Sequence, residues 1–276
     1  MILLDGKKIS EKILNDLKKT IEKRGLGLKL AIVIVGNDMP SKVFIKKKEE
    51  ACKKIGIDFE LYEFDKDIKV DRLREEVEKI CKKSEISGVV IQLPLPLELR
   101  AFDQQILNLV PPSKDIDILS EKNLGCFYSG FLPVMPPVVS AVFCLLNEYE
   151  ISLKGKNIVI IGAGRLVGLP LAVSLLKKKA TVSVLNEFTD DFSGFLKKAD
   201  IIISGVGKPG IIKGEDLKNE VIVIDAGTSF KEGKTVGDVD IESVSKKAKY
   251  IAPVPGGVGP LTIAFLLENL VRINLE

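Results

Sequence analysis

Ile158-Val159-Ile160-Ile161-Gly162-Ala163-Gly164-Arg165-Leu166-Val167-Gly168-Leu169-Pro170 is the stretch on which the fold turns. Its β-branched run reads as a strand buried on both faces, and the apolar periodicity that follows reads as a helix through Leu176. Between them, Gly162 and Gly164 let the backbone approach a pyrophosphate, whose charge a helix N-terminus stabilises. The spacing G-x-G-x-x-x-G is one residue longer than the usual dinucleotide fingerprint, so a plain strand-to-helix turn is the competing reading. The strand–turn–helix setting favours the dinucleotide.

Working outward, strands are predicted at Thr181 to Leu185, Ile201 to Ser204, Val221 to Asp225 and around Tyr250 to Ala252. The first half alternates in the same way. A helix from Lys12 to Arg24 precedes the strand Lys29 to Val35, and a helix from Ser41 to Ile55 precedes the strand Asp58 to Phe64. Asp71 reads as the cap of a third helix, and Gly88 to Gln92 as a third buried strand. This is an α/β chain with parallel sheets and right-handed crossovers. Pro136 to Tyr149 reads as a long helix joining two such halves. Pro260 to Ile273 reads as a final amphipathic helix, with Pro260 at its first position.

A chain of 276 residues with 46% hydrophobic content favours two modest domains over one. A net charge of +3 from 41 basic and 38 acidic side chains describes a mixed, solvated surface. Lys46-Lys47-Lys48 and Lys177-Lys178-Lys179 have no interleaved aromatics, so nucleic acid is not an expected partner. Met1-Ile2-Leu3-Leu4 runs at once into charged residues, unlike a signal peptide, and no apolar run approaches the ~20 residues of a membrane helix. Cys52, Cys81, Cys126 and Cys144 form no C-x-x-C and read as free thiols of a cytoplasmic protein. The absence of histidine removes Ser-His and Cys-His nucleophile pairs and every histidine metal site. No metal is expected, and acid–base work falls to Lys, Asp, Glu, Tyr or Cys.

Five further places carry candidate chemistry. Asn186-Glu187 ends the strand after the glycine turn, where a carboxylate accepts hydrogen bonds from both ribose hydroxyls and repels a 2′-phosphate; Arg165 in the turn pulls the other way. On the helix from Ser41, Phe44, Lys48, Ala51 and Ile55 form one stripe, so Lys48 interrupts an apolar face. Partial burial beside like charges favours the neutral amine a general base needs, whereas a snorkelling lysine is the bland alternative. Gln92 ends an apolar strand before Leu93-Pro94-Leu95-Pro96, where α/β sheets place ligands. In Asp115-Ile116-Asp117 one carboxylate is suited to a ligand's paired N–H donors, with Asp115 as a turn cap the rival reading. Near the C-terminus, Pro253-Val254-Pro255-Gly256-Gly257-Val258-Gly259-Pro260-Leu261-Thr262 is a backbone rigid in places and bare in others, able to press against something flat.

These segments resemble the tetrahydrofolate dehydrogenase/cyclohydrolase family nearly end to end. The resemblance rests on Leu4-Asp5-Gly6-Lys7, Ser41 to Lys48, Val90 to Pro96, Lys114 to Asp117, Val167 to Pro170, Val236-Gly237-Asp238-Val239 and Pro253 to Thr262. It implies a catalytic, folate-binding domain of residues 1–135 plus 257–276 beside a Rossmann-type dinucleotide-binding domain of residues 136–256, in a homodimer. The implied activity is oxidation of methylenetetrahydrofolate with NADP or NAD, then hydrolysis to 10-formyltetrahydrofolate, in one-carbon metabolism serving purine biosynthesis. Tetrahydrofolate one-carbon derivatives are the implied partners. By resemblance Lys48 is the catalytic lysine, Gln92 its partner and Asp117 the pterin anchor, while Phe44, Pro255, Gly256 and Gly257 touch the substrate. Gly162, Ala163, Gly164, Arg165, Gly168, Glu187 and Thr228 make up the implied dinucleotide set.

Five departures stand out. Phe44 replaces a usual Tyr, which puts hydrolysis in question. Ile118 replaces the Gly usual after Asp117, and Val134-Met135-Pro136 replaces Cys-Thr-Pro. Gly162-Ala163-Gly164 stands where Gly-Arg-Ser is common, and Asn186-Glu187 where His-Ser is. The family default is NADP; these last residues argue for NAD or relaxed choice. A dehydrogenase without hydrolysis and a silent dinucleotide-binding homologue are the alternatives.

Overall fold

The computed structural model describes residues 1–231 and 233–275. From the N-terminus come β1 (Ile2–Leu3), α1 (Gly6–Arg24), β2 (Lys29–Val35), α2 (Met39–Ile55), β3 (Asp58–Phe64), α3 (Val70–Lys82) and β4 (Gly88–Ile91). Two short helices, α4 (Asp103–Leu107) and α5 (Glu121–Ser129), lead to α6 (Pro137–Glu148). Next come β5 (Asn157–Ile161), α7 (Gly168–Lys177), β6 (Thr181–Leu185), α8 (Phe192–Lys198), β7 (Ile201–Ser204) and β8 (Val221–Asp225). They are followed by β9 (Ser229–Lys231), β10 (Lys234–Val236), α9 (Ile241–Val244), β11 (Ala248–Ala252) and α10 (Val258–Ile273).

The chain divides into two compact units, Met1–Ser10 with Val138–Thr262 and Glu11–Pro137 with Ile263–Glu276. This division differs from the expected one chiefly at the N-terminus. The physical reason is β1, which pairs in parallel with β11, Ile2 opposite Tyr250 and Leu3 opposite Ile251. Two residues are too short a run for hydrophobic pattern to announce a strand.

The unit containing Glu11–Pro137 is built on a three-stranded parallel sheet in the order β3-β2-β4. Its central strand explains the unbroken apolar run. Leu30, Ile32 and Ile34 pack on one face with Leu17 and Ile21 of α1, Ile45 and Ile55 of α2, and Leu267 of α10. Ala31, Val33 and Val35 pack on the other face with Leu73, Val77 and Ile80 of α3. A strand covered on both sides has no polar face to show. The segment after α4 adds a further edge: Val89 donates its N–H to the Lys114 carbonyl and forms a parallel bridge with Asp115. Gly88 makes room for it, because a Cβ there would lie 2.6 Å from Leu270 Cδ1 and 3.0 Å from Ile116 Cγ2.

The second unit carries a six-stranded sheet, β1-β11-β8-β7-β5-β6, parallel throughout. The change of direction falls at β5, with β6 on one side and β7 on the other. In open α/β sheets that is where ligands bind, outside the carboxyl ends of the strands.

Several local expectations shift. The third helix is entered through Lys69, with no side-chain cap, and Asp71 lies in its first turn, where a carboxylate still favours the helix dipole. α2 starts at Met39 because Asp38 caps it, accepting from the Ser41 N–H. α10 starts at Val258, which puts Pro260 third instead of first; its missing N–H is still one the first turn leaves unpaired. α7 starts at Gly168, leaving a longer turn after β5 than the glycines suggested. Among the described residues, no helix is long and apolar enough to cross a membrane.

Gly88→Ala is expected to overpack the junction of β4, Ile116 and α10 and to cost about 1–3 kcal/mol of stability. Urea unfolding measures this; a midpoint unchanged from the parent would show that Ile116 and Leu270 yield freely.

Candidate functional site

The site in the first unit begins with α2. Gly56, in the left-handed region at φ 80°, ends that helix, and its buried stripe is Ser41, Ile45, Lys48, Ala51, Cys52 and Ile55. Lys48 is 5% exposed, while Lys46 and Lys47 stand in water. The Lys48 Nζ donates to Gln92 Oε1 at 3.0 Å and lies 5.3 Å from the centre of the Phe44 ring. Gln92 is held in turn: its backbone N–H donates to the Val33 carbonyl, and its side-chain Nε2 donates to the Leu93 carbonyl at 2.8 Å. With the amide nitrogen tied back, the carbonyl oxygen has one direction left, toward the amine.

Asp115 and Asp117 divide the two roles left open by the sequence. Asp115 is buried and spent on structure, accepting from the Leu119 N–H at 3.1 Å, the Ser120 N–H at 2.9 Å and the Ser120 hydroxyl at 2.6 Å. Asp117 is half-buried and faces Lys48 electrostatically. Among the described residues no hydrogen bond is made to its carboxylate, which leaves both oxygens for a ligand.

Ile118 follows at φ 59°, the left-handed region that a glycine would enter without cost. For a β-branched residue this costs about 1–2 kcal/mol. Ile118 is fully buried, and burying such a side chain contributes about 1.5–3 kcal/mol, enough to offset the strain.

Asn269 was missed from the sequence, where it looked like one polar position in an amphipathic helix. It is buried on α10 and donates Nδ2 to the Ile116 carbonyl at 2.9 Å and the Met135 carbonyl at 2.8 Å. Asn123 likewise donates to the Pro112 and Asp115 carbonyls. These amides fix the backbone on which Asp117 is mounted.

Electrostatics follow burial. Desolvation pushes the Lys48 amine below its usual 10.5, with Asp117 and then Cys52 pulling it partly back. Desolvation pushes the Asp117 carboxyl above its usual 3.8, with Lys48 lowering it and Asp115 raising it. The Cys52 thiol, also buried, is pushed up to about 12 and is inert as a nucleophile.

The second unit brings the glycine residues together at the carboxyl edge of its sheet. Gly162 has φ 100°, and a Cβ on Gly168 would fall 1.8 Å from the Gly162 carbonyl oxygen. A Cβ on Gly164 would meet nothing, so packing within the protein does not demand a glycine there. Ala163 is exposed, and Arg165 has a buried Nη1 without a partner. The start of α7 has no side-chain cap, but Leu169 donates its N–H to the Gly164 carbonyl and Pro170 has none, so it is the Gly168 N–H that the first turn leaves for an anion. Glu187 is exposed after β6, in a turn where Asn186 accepts from the Phe188 N–H and its own N–H donates to Thr189. Thr228 is exposed in the loop after β8.

Part of the bare segment near the C-terminus has an internal explanation. The Gly256 carbonyl accepts from the Lys7 N–H, and a Cβ on Gly6 would fall 1.9 Å from the Gly257 carbonyl oxygen. The surface it presses against is the first turn of α1, and Pro255 alone of Pro255-Gly256-Gly257 is exposed. Among the described residues, no cluster of three or more His, Cys, Asp or Glu is arranged to hold a metal.

Comparison with known proteins agrees along the whole chain. Residues 4–117 match the tetrahydrofolate dehydrogenase/cyclohydrolase catalytic domain, and residues 136–276 match the NAD(P)-binding domain of the same description. A bifunctional protein FolD from Nautilia profundicola is 43% identical over 276 residues, spanning 99% of this chain and 96% of that one. The crystal structure of the bifunctional FolD methylenetetrahydrofolate dehydrogenase/cyclohydrolase from Campylobacter jejuni superposes with a TM-score of 0.91 at 40% identity, covering 99% of this chain and 98% of that one. The Trypanosoma brucei methylenetetrahydrofolate dehydrogenase-cyclohydrolase, solved with NADP and an inhibitor, gives a TM-score of 0.92 at 30% identity, covering 99% and 97%.

The buried amine has a consequence for stability. A lysine with a depressed folded-state pKa supports the fold fully only above the unfolded value of 10.5 and loses that support as pH falls through the folded value. Lys48→Met is therefore expected to be more stable than the parent at neutral pH, by about 1–2 kcal/mol. The gain should grow as pH is lowered from the alkaline range and then level off. Urea midpoints across pH check this; a variant less stable than the parent at neutral pH would mean the amine is bound favourably as a cation.

Proposed function

The chain belongs to the tetrahydrofolate dehydrogenase/cyclohydrolase family, and we propose that it carries out both reactions: NAD(P)-dependent oxidation of methylenetetrahydrofolate to methenyltetrahydrofolate, and hydrolysis of that product to 10-formyltetrahydrofolate. The observation that carries this reading is the buried Lys48 amine held on the Gln92 carbonyl oxygen at 3.0 Å.

The second unit fits a dinucleotide by its own features: the unpartnered Arg165 Nη1, the uncapped α7 terminus and the open space over Gly164. A bound dinucleotide supplies the hydride acceptor. The Gly162–Val167 turn and the Gly168 N–H at the start of α7 would hold its pyrophosphate, with Arg165 adding positive charge. Thr228 is proposed as a further contact from the β8 loop. Glu187 would accept hydrogen bonds from the ribose hydroxyls and repel a 2′-phosphate, so NAD is proposed as the preferred dinucleotide.

In the first unit Asp117 would accept paired N–H donors of the pterin, and the Phe44 ring would stack on it. Orientation is the main demand of the oxidation, because the methenyl product is a resonance-stabilised cation. Hydrolysis needs a base. The neutral Lys48 Nζ takes a proton from water as its oxygen bonds to the methenyl carbon. The same proton is then delivered to the folate N5 as the carbon–N5 bond breaks, and the hydroxyl proton leaves to solvent as the formyl carbonyl forms. Gln92 aims the amine, and the Phe44 face lies within the range that stabilises the transient ammonium. A cytoplasmic location and a homodimer are carried over as proposals from the family resemblance.

Initial rates with methylenetetrahydrofolate should give a kcat/KM for NAD about tenfold or more above that for NADP, a difference of about 1.4 kcal/mol. Lys48→Met should lower methenyltetrahydrofolate hydrolysis at least a hundredfold, about 2.7 kcal/mol on the same scale. Preference for NADP would remove the assigned role of Glu187, and unimpaired hydrolysis in Lys48→Met would remove that of the lysine.

A further inference from the structure

Two buried carboxylates in the second unit are used by neither reaction. Asp225 ends β8 and Asp238 follows β10, and both are fully buried. Asp238 Oδ2 accepts from the Ser204 hydroxyl at 2.6 Å and from the Val206 N–H at 2.9 Å, while Oδ1 accepts from the Lys208 N–H at 2.8 Å. All three donors lie at the end of β7 or in the loop that follows it. Asp225 accepts from the Gly227 and Val239 N–H groups, each at 3.0 Å.

The two acids interlock. A Cβ on Gly227 would fall 2.2 Å from Asp238 Cγ, and a Cβ on Gly237 would fall 2.0 Å from Asp225 Oδ2. Each loop therefore lays a bare backbone on the other's carboxylate. Ser229 adds a direct tie, donating its hydroxyl to the Gly207 carbonyl at 2.6 Å.

The β7 loop sits where the chain's own topology puts a ligand, next to β5 at the reversal of strand order. It touches the glycine turn closely: a Cβ on Gly162 would lie 2.7 Å from Val206 Cγ1, and one on Gly205 would lie 2.6 Å from Val167 Cγ1. A carboxylate with no exposed surface is costly to bury, and backbone N–H donors that need a fixed geometry are what offsets that cost. The arrangement is stiff because it is used up: every donor at Asp238 points inward, and none is left for water.

We propose that Asp238, braced by Asp225, is a positioning residue for the dinucleotide, fixing the 205–208 loop against the Gly162–Val167 turn without touching the ligand. This rests on the dinucleotide role assigned above to that turn. An asparagine cannot substitute, because it offers one acceptor and one donor end to partners that all donate. Ser204→Ala removes one of the three bonds and leaves the carboxylate in place.

The test uses both activities of the one chain. By titration calorimetry, Asp238→Asn should weaken NAD binding at least tenfold and Ser204→Ala about two- to fivefold. The KM for NAD should rise in step, with kcat at saturation within threefold of the parent. Hydrolysis of methenyltetrahydrofolate, which uses Lys48 and no dinucleotide, should stay within twofold in both variants. NAD affinity within twofold of the parent in Asp238→Asn would overturn the proposal, as would a loss of hydrolysis parallel to the loss of affinity in Ser204→Ala. A parent chain that binds neither NAD nor NADP would instead overturn the dinucleotide reading itself, and the proposal with it.

Discussion

An amine buried on the apolar stripe of a helix constrains everything packed around it. Lys48 takes a core position on α2, where an isolated ammonium loses its hydration and gains little in return. Two charges 4 Å apart interact by only about 1 kcal/mol in water and about 4 kcal/mol near a protein surface, so Asp117 offsets part of the penalty and not all of it. Gln92 supplies the rest of the environment, a neutral acceptor that suits either protonation state of the amine. That is the partner called for by the proposed role, taking up and giving back one proton. The same burial that makes the site poor for stability favours the neutral amine over the ammonium.

The rest of the first unit can be understood as support for that arrangement. The Gln92 backbone is the continuation of β4 beside β2, whose alternating residues anchor both cores. Asp117 is carried by a segment that belongs to no regular element, added to the edge beside β4 and held by Asn269, Asn123 and Ser120. Ile118 tolerates a left-handed conformation inside it because burial and these bonds over-determine the backbone. The second unit solves its problem differently, with glycines that let backbone meet backbone or carboxylate, and with buried acids that organise loops. One unit spends its burial on an amine, the other on loop geometry.

The regular strands were legible because a sheet covered on both faces leaves runs such as Lys29 to Val35 and Ile158 to Ile161 with no polar alternation to confuse the reading. Lys48 was legible as a break in an apolar stripe, but its bond to Gln92 joins residues 44 apart, and only the family resemblance paired them. Without the family resemblance, residue pattern alone does not separate Asp115 from Asp117; in the structure the turn to Ser120, a local hydrogen-bond pattern, does. The Gly256-Gly257 bareness was read as room for a ligand, yet part of it accommodates Gly6 and Lys7, some 250 residues away. β1, Asn269 and the Asp225–Asp238 interlock left no periodic signal, since each depends on contacts remote in sequence.

The central claim is that burial lowers the affinity of the Lys48 amine for a proton. It is tested most directly by an NMR titration of the lysine side chains, with the Lys48 resonance assigned by its absence in a Lys48 variant. The account predicts a midpoint for Lys48 below 10.5. A Lys48 midpoint at or above 10.5 would contradict it.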